Sequence, residues 1–105
     1  MKIIEKKYRG SLICRVLGYP ITYGIVRMLL ENGQMELEEI VEKTARSKGT
    51  VCNHLVKLKL ANLVRYDKKG HKTIYWLKYP EEIRDFLQVC EKLVERTTRR
   101  IKQDF

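Results

Sequence analysis

The sequence predicts a small α+β domain, mostly helical, on three observations. Apolar residues recur at helical spacing in several separate stretches. Two β-rich runs, Leu63 to Tyr66 and Thr73 to Lys78, flank the turn chemistry of Asp67-Lys-Lys-Gly70. A short basic helix leads directly into that hairpin. Helix, tight turn, basic helix and lysine-rich hairpin is the order of a helix-turn-helix followed by a wing. The expected architecture is therefore a winged helix-turn-helix with a further helix at each end. With 105 residues the chain is expected to form one domain, residues 1–105.

The elements follow in order. Leu12, Ile13, Val16 and Leu17 predict a first helix over 11–18, interrupted by Gly18. Pro20 suits the first turn of a second helix, in which Ile21, Ile25, Met28 and Leu29 mark one face up to Asn32-Gly33. Leu37, Ile40 and Val41 give a short third helix, acidic on its outer side. After Thr44-Ala-Arg-Ser47, a turn of helix-turn-helix length, Ser47 is a good N-cap for the fourth helix, and the helix-turn-helix spans 36–60. In the fourth helix Val51, Leu55 and Leu58 form an inward stripe and leave the polar residues outside. Asn62 can adopt the left-handed conformation that ends a helix, a position more often given to Gly. The wing covers 62–78, with Thr73, Tyr75 and Leu77 on one strand face and Ile74, Trp76 and Lys78 on the other. Glu81-Glu82 after Pro80 suits a helix start. Ile83, Phe86, Leu87, Cys90, Leu93, Val94, Thr97 and Ile101 then hold an apolar stripe along 81–103, with Arg99, Arg100 and Lys102 at its favourable end. That helix is too long and too apolar on one face to be spent on so small a body.

Charge is unevenly placed. Of the net +9, residues 1–30 carry +5, residues 31–46 carry −3, residues 47–80 carry +7, and residues 81–105 are neutral. A concentrated basic segment is the electrostatic footprint of a polyanion binder, and the bland reading is a solvated lysine-rich surface. No run approaches the roughly 18 apolar residues of a spanning helix, and the charged N-terminus does not read as a secretory signal. A cytoplasmic protein with no membrane partner is expected.

The fourth helix has groove-facing chemistry for double-stranded DNA. Lys48 reaches phosphate or a guanine edge, Thr50 a phosphate or thymine methyl, and Asn53 pairs bidentately with adenine. Gly49 either lets backbone amides approach a phosphate or is a surface residue without a role. His54 is either a contact to phosphate or base or an ordinary surface imidazole, and it lacks neighbours for a metal site. Lys57 continues the outward face. Lys68, Lys69, His71 and Lys72 flank the wing turn, with Arg65 at its base, where contacts would supply affinity more than sequence choice.

Together, Leu17-Gly-Tyr-Pro20, Ile25-Val-Arg-Met-Leu-Leu30, Ser47…Thr50-Val51…His54-Leu55…Leu58, Ala61-Asn-Leu-Val64 and Gly70…Tyr75…Leu77 carry a resemblance. They resemble the ArsR/SmtB winged-helix regulators over roughly residues 12 to 95. The resemblance implies a homodimer formed by the first and last helices (11–18 and 81–103), binding to an imperfect inverted repeat, and repression relieved by an inducer. Which inducer, the sequence does not say. The family's cysteine pair on the third helix has no counterpart in Met35-Glu-Leu-Glu-Glu-Ile40, and the last helix has no His for the family's other metal cluster. No metal and no cofactor are expected.

Cys14, Cys52 and Cys90, each 38 residues from the next, make neither a disulfide framework nor a zinc ribbon. Cys14 and Cys90 on the two end helices are either a redox-sensing pair or small buried hydrophobes, and Cys52 is a further candidate beside the DNA face. Tyr19, Tyr23, Phe86 and Trp76 either line a small-molecule pocket or serve packing. No paired carboxylates, nucleophile–base pair or phosphate loop points to an enzyme. The rival reading is a winged helix used as a protein-interaction module, with the last helix docking on a partner; it leaves the +7 segment unexplained.

Overall fold

The computed structural model describes residues 6–104, with side chains described to residue 99. The side chains of Arg100, Ile101 and Lys102, assigned above to the last helix, lie outside the described residues. A 3-10 turn at Lys6–Tyr8 leads into α1 (Gly10–Leu17) and α2 (Pro20–Asn32). Then come β1 (Gln34–Glu36), α3 (Leu37–Thr44), α4 (Lys48–Leu60), β2 (Val64–Lys69), β3 (Lys72–Leu77) and α5 (Pro80–Asp104). Pro20 opens α2 at its first turn, where the missing N–H costs no helical bond.

The core is built around α2, which packs on α1, α3, α4, α5 and the sheet. Its Ile25, Val26 and Leu29 meet Ile40 of α3, Val51, Leu55 and Leu58 of α4, and Ile83 and Leu87 of α5. The stripe Val51, Leu55, Leu58 is fully buried, as its spacing predicts. The sheet is antiparallel with strand order β1-β3-β2. β1 is not foreseen from the sequence: three residues with one buried side chain, Met35, carry no period. It makes β3 the central strand, pairing Gln34 with Trp76 and Glu36 with Ile74.

The hairpin corrects one expectation. The strands run to Lys69 and Lys72, which pair, so the turn is Gly70-His71 and not Asp67-Lys-Lys-Gly70. A two-residue hairpin turn needs positive φ at its first central residue, and Gly70 supplies it at 63° while His71 stays negative. Lys68 and Lys69 are therefore strand residues with fixed facing. At the end of α4, Asn62 adopts φ 61°. The N–H of Leu63 then reaches the carbonyl of Leu58, and that of Asn62 the carbonyl of Lys59. This is a Schellman closure, and it aims the chain from α4 into β2.

In α5, Ile83 and Leu87 are buried, but all residues from 91 to 99 are exposed. The second half of the helix therefore projects from the body with its apolar face uncovered.

Candidate nucleic-acid interface

The junction between α3 and α4 is set by backbone. Ala45 takes φ 55°, and its N–H donates to the carbonyls of Val41 and Glu42 at 3.1 and 3.2 Å. Ser47 caps α4: its hydroxyl oxygen accepts the N–H of Thr50 at 3.2 Å and donates to Thr50 Oγ1 at 2.9 Å. Thr50 is thus half-buried and engaged in the cap, with its own hydroxyl hydrogen left to donate outward.

The remaining sequence-predicted residues of α4 divide into two groups. Lys48, Gly49 and Asn53 are exposed. Lys48 Nζ lies 3.2 Å from Glu38 Oε1 of α3, an exposed pair of little strength that a phosphate can displace. At Gly49 a Cβ would meet open space, so packing within the protein does not require glycine there. Asn53 has no hydrogen-bond partner among the described residues. His54 and Lys57 are half-buried instead and turn toward the α1–α2 corner. His54 Nδ1 is 2.8 Å from Thr22 Oγ1, and its ring is 5.8 Å from that of Tyr19. Lys57 Nζ sits 4.1 Å above the Tyr19 ring. Burial, and then the nearby Lys57 ammonium, push the His54 pKa below its ordinary value, so the ring is neutral at physiological pH.

On the wing, Arg65, Lys68, Lys69, His71 and Lys72 are all exposed. The register splits them. Arg65, Lys69 and Lys72 lie on the face of Ile74 and Trp76, whereas Lys68 shares the other face with Tyr66 and Tyr75. Lys72 Nζ leans to Glu36 Oε1 at 3.5 Å. Lys59, not singled out from sequence, places its ammonium 4.4 Å over the Tyr66 ring and joins α4 to the wing. The sequence reading also missed Thr22, Glu36 and Glu38. Each meets its cation or imidazole only through the tertiary fold, and no local pattern announces that.

The cysteines carry free thiols: Cys14 is exposed on α1, and Cys52 and Cys90 are half-buried. Burial, and secondarily the Cys52 thiol, raise the pKa of the Tyr75 phenol. Among the aromatic residues, Tyr23 and Phe86 pack against the core, and Tyr19 supports His54 and Lys57.

Residues 23–66, from α2 into β2, match the family described as bacterial regulatory protein, arsR family. The chain is 26% identical over 90 residues to an HTH-type transcriptional regulator of Methanocaldococcus jannaschii, a match covering 86% of this chain and 100% of the relative. In fold it is similar to Rv0081 of Mycobacterium tuberculosis, with a TM-score of 0.75 and 22% identity over 88% of this chain and 90% of that one. HlyU of Vibrio cholerae gives a TM-score of 0.74 and 19% identity over 86% of this chain and 96% of the other. The match to the arsR family covers the helix-turn-helix core, and the winged-helix fold is shared with these solved structures over most of the chain.

Proposed function

We propose that this chain is a homodimeric, sequence-specific DNA-binding repressor acting at an inverted-repeat operator. The helix-turn-helix of residues 36–60 enters the major groove and the wing of 62–78 lies along the neighbouring backbone. The observation that carries this is the outer face of α4. Asn53, whose amide has no partner among the described residues, sits there with Lys48 and Thr50, beside a hairpin with five exposed basic or imidazole side chains. Base reading falls to Asn53 and Lys48, while Arg65, Lys68, Lys69, His71 and Lys72 contribute phosphate contacts. Dimerisation through 11–18 and 81–103 is supported by apolar side chains that the single chain leaves uncovered: Leu12 at 59%, Leu93 at 56% and Val94 at 64% exposure. A regulator of this kind works in the cytoplasm, and the groove-facing helix needs no metal or cofactor.

Selection of bound sequences from random duplex DNA tests the reading. The expected result is an enriched inverted repeat with half-site centres about one helical turn apart. Weak, salt-sensitive binding without enrichment would overturn it in favour of a non-specific or protein-docking role.

A further inference from the structure

Thr22 is the buried polar side chain of the core, 0% exposed, and it lies on α2, 32 residues from its partner on the recognition helix. Its hydroxyl has one hydrogen bond among the described residues, the 2.8 Å contact to His54 Nδ1. A buried hydroxyl hydrogen needs an acceptor. If Nδ1 carried the ring hydrogen, it would donate to Oγ1, and the hydroxyl's own hydrogen would be buried with nowhere to go. If Nδ1 is bare, the hydroxyl donates to it and both atoms are satisfied. Only the second arrangement closes the hydrogen-bond inventory, and it places the ring hydrogen on Nε2.

We propose that Thr22 is a positioning residue for DNA binding: by donating to Nδ1 it holds His54 as the neutral Nε2–H tautomer, and the recognition helix thereby presents that N–H to a phosphate oxygen of duplex DNA. The proposal rests on the DNA-binding reading above and adds a contact whose direction is set from behind, by α2. Three features support it. The ring is half-exposed, and Nε2 has no partner among the described residues. Tyr19, from the α1–α2 corner, tilts at 60° against the ring and restricts its rotation. Lys57, one turn along α4, is held over the same Tyr19 ring, so an ammonium stands beside the imidazole. Lys57 is the charged group facing His54 from its own helix; Thr22 and Tyr19 are the polar groups facing it from the α1–α2 side. The lysine supplies charge and the neutral imidazole supplies direction. Such a contact fixes the seating of the recognition helix on the backbone without reading a base.

Two measurements test it on the full chain. Long-range proton–nitrogen spectra of the imidazole rings report the tautomer directly, and with two histidines in the chain, a His71→Gln variant assigns the signals. The expected pattern for His54 is Nε2–H, kept in Thr22→Ser and replaced by a tautomer mixture in Thr22→Val. A Nδ1–H pattern in the unsubstituted protein would overturn the proposal. Titration with random-sequence duplex DNA of about two helical turns should shift the His54 Nε2 resonance. Thr22→Val should weaken binding about three- to tenfold, and Thr22→Ser should restore it. His54→Ala, which does not disturb the buried hydroxyl's own helix, should lose the same factor. Equal binding by His54→Ala and the parent would refute the phosphate contact while leaving the DNA-binding reading intact. A parent protein that binds no duplex would instead overturn that reading, and the contact with it.

Discussion

Asn53 and His54 stand side by side on α4, yet among the described residues only His54 of the two has a polar atom committed to a partner. That difference separates two kinds of prediction. Asn53→Ala should leave the fold intact, because the side chain is exposed and has no partner among the described residues. Its effect should appear in recognition, as a loss of about 1–3 kcal/mol on the best site with relaxed preference at one base position. Binding measured on a panel of operator variants checks this; a uniform loss over all sequences would exclude base reading. His54 acts on stability through pH. Its folded-state pKa lies below the ordinary value of 6.5 because the ring is desolvated and Lys57 is near. As pH falls below that value the unfolded chain takes up the proton first, so folding is opposed. The contribution of neutral His54 is therefore fully present above about 6.5 and is lost as pH falls through the folded-state value. Urea midpoints of the parent should drop more between neutral and mildly acidic pH than those of His54→Gln. Parallel profiles would mean that the imidazole does not titrate differently in the fold.

At the scale of elements, the turn between α3 and α4 is held by an alanine where the backbone wants glycine. With φ 55° at Ala45, the Cβ crowds the following carbonyl, and Ala45→Gly should relieve this. The net gain is about 0.5–1 kcal/mol after the extra freedom of the unfolded chain is subtracted, readable as a higher thermal midpoint. The wing makes its own prediction. Lys69→Ala removes a cation at the end of β2 and should lower the slope of log affinity against log salt by about one unit, with similar loss on all sequences. An unchanged slope would mean that this end of the wing does not meet phosphate. How much of this was legible depends on the range of the interactions. The buried stripe of α4, the Ser47 cap and the left-handed Asn62 are local devices, and residue spacing reveals them. The turn at Gly70-His71 was misplaced by the lysine-rich run before it, since polar residues read equally as turn or exposed strand until pairing fixes the register. β1 escaped because its three residues owe their strand state to β3, about forty positions later. The candidate interface follows the same division. Exposure of Lys48 and Asn53 follows from the amphipathic pattern, whereas the inward turn of His54 depends on Thr22, 32 residues away.

Over the whole molecule, the longest axis measures 54 Å against 36 and 25 Å, and α5 accounts for much of that shape. Its 25 residues span about 37 Å, of which only the first part rests on the chain's own core. Val89, Leu93 and Val94 are 54%, 56% and 64% exposed, a patch that in water favours association. A symmetric pair would bury the same patch on both copies and bring two α4 helices into one assembly, as the proposed inverted repeat requires. Leu93→Glu tests the coupling of these two properties. The residue is already more than half exposed, so the charge should leave the fold of each chain intact, with an unchanged far-ultraviolet spectrum. At the seam of a dimer, however, two buried carboxylates would face an apolar surface without partners, and association should fail. Sedimentation equilibrium should then show a monomer, and affinity for the inverted repeat should fall by at least about tenfold because the second half-site no longer binds intramolecularly. A variant that remains dimeric and keeps its affinity would place the seam elsewhere and leave the exposed face of α5 for a different partner.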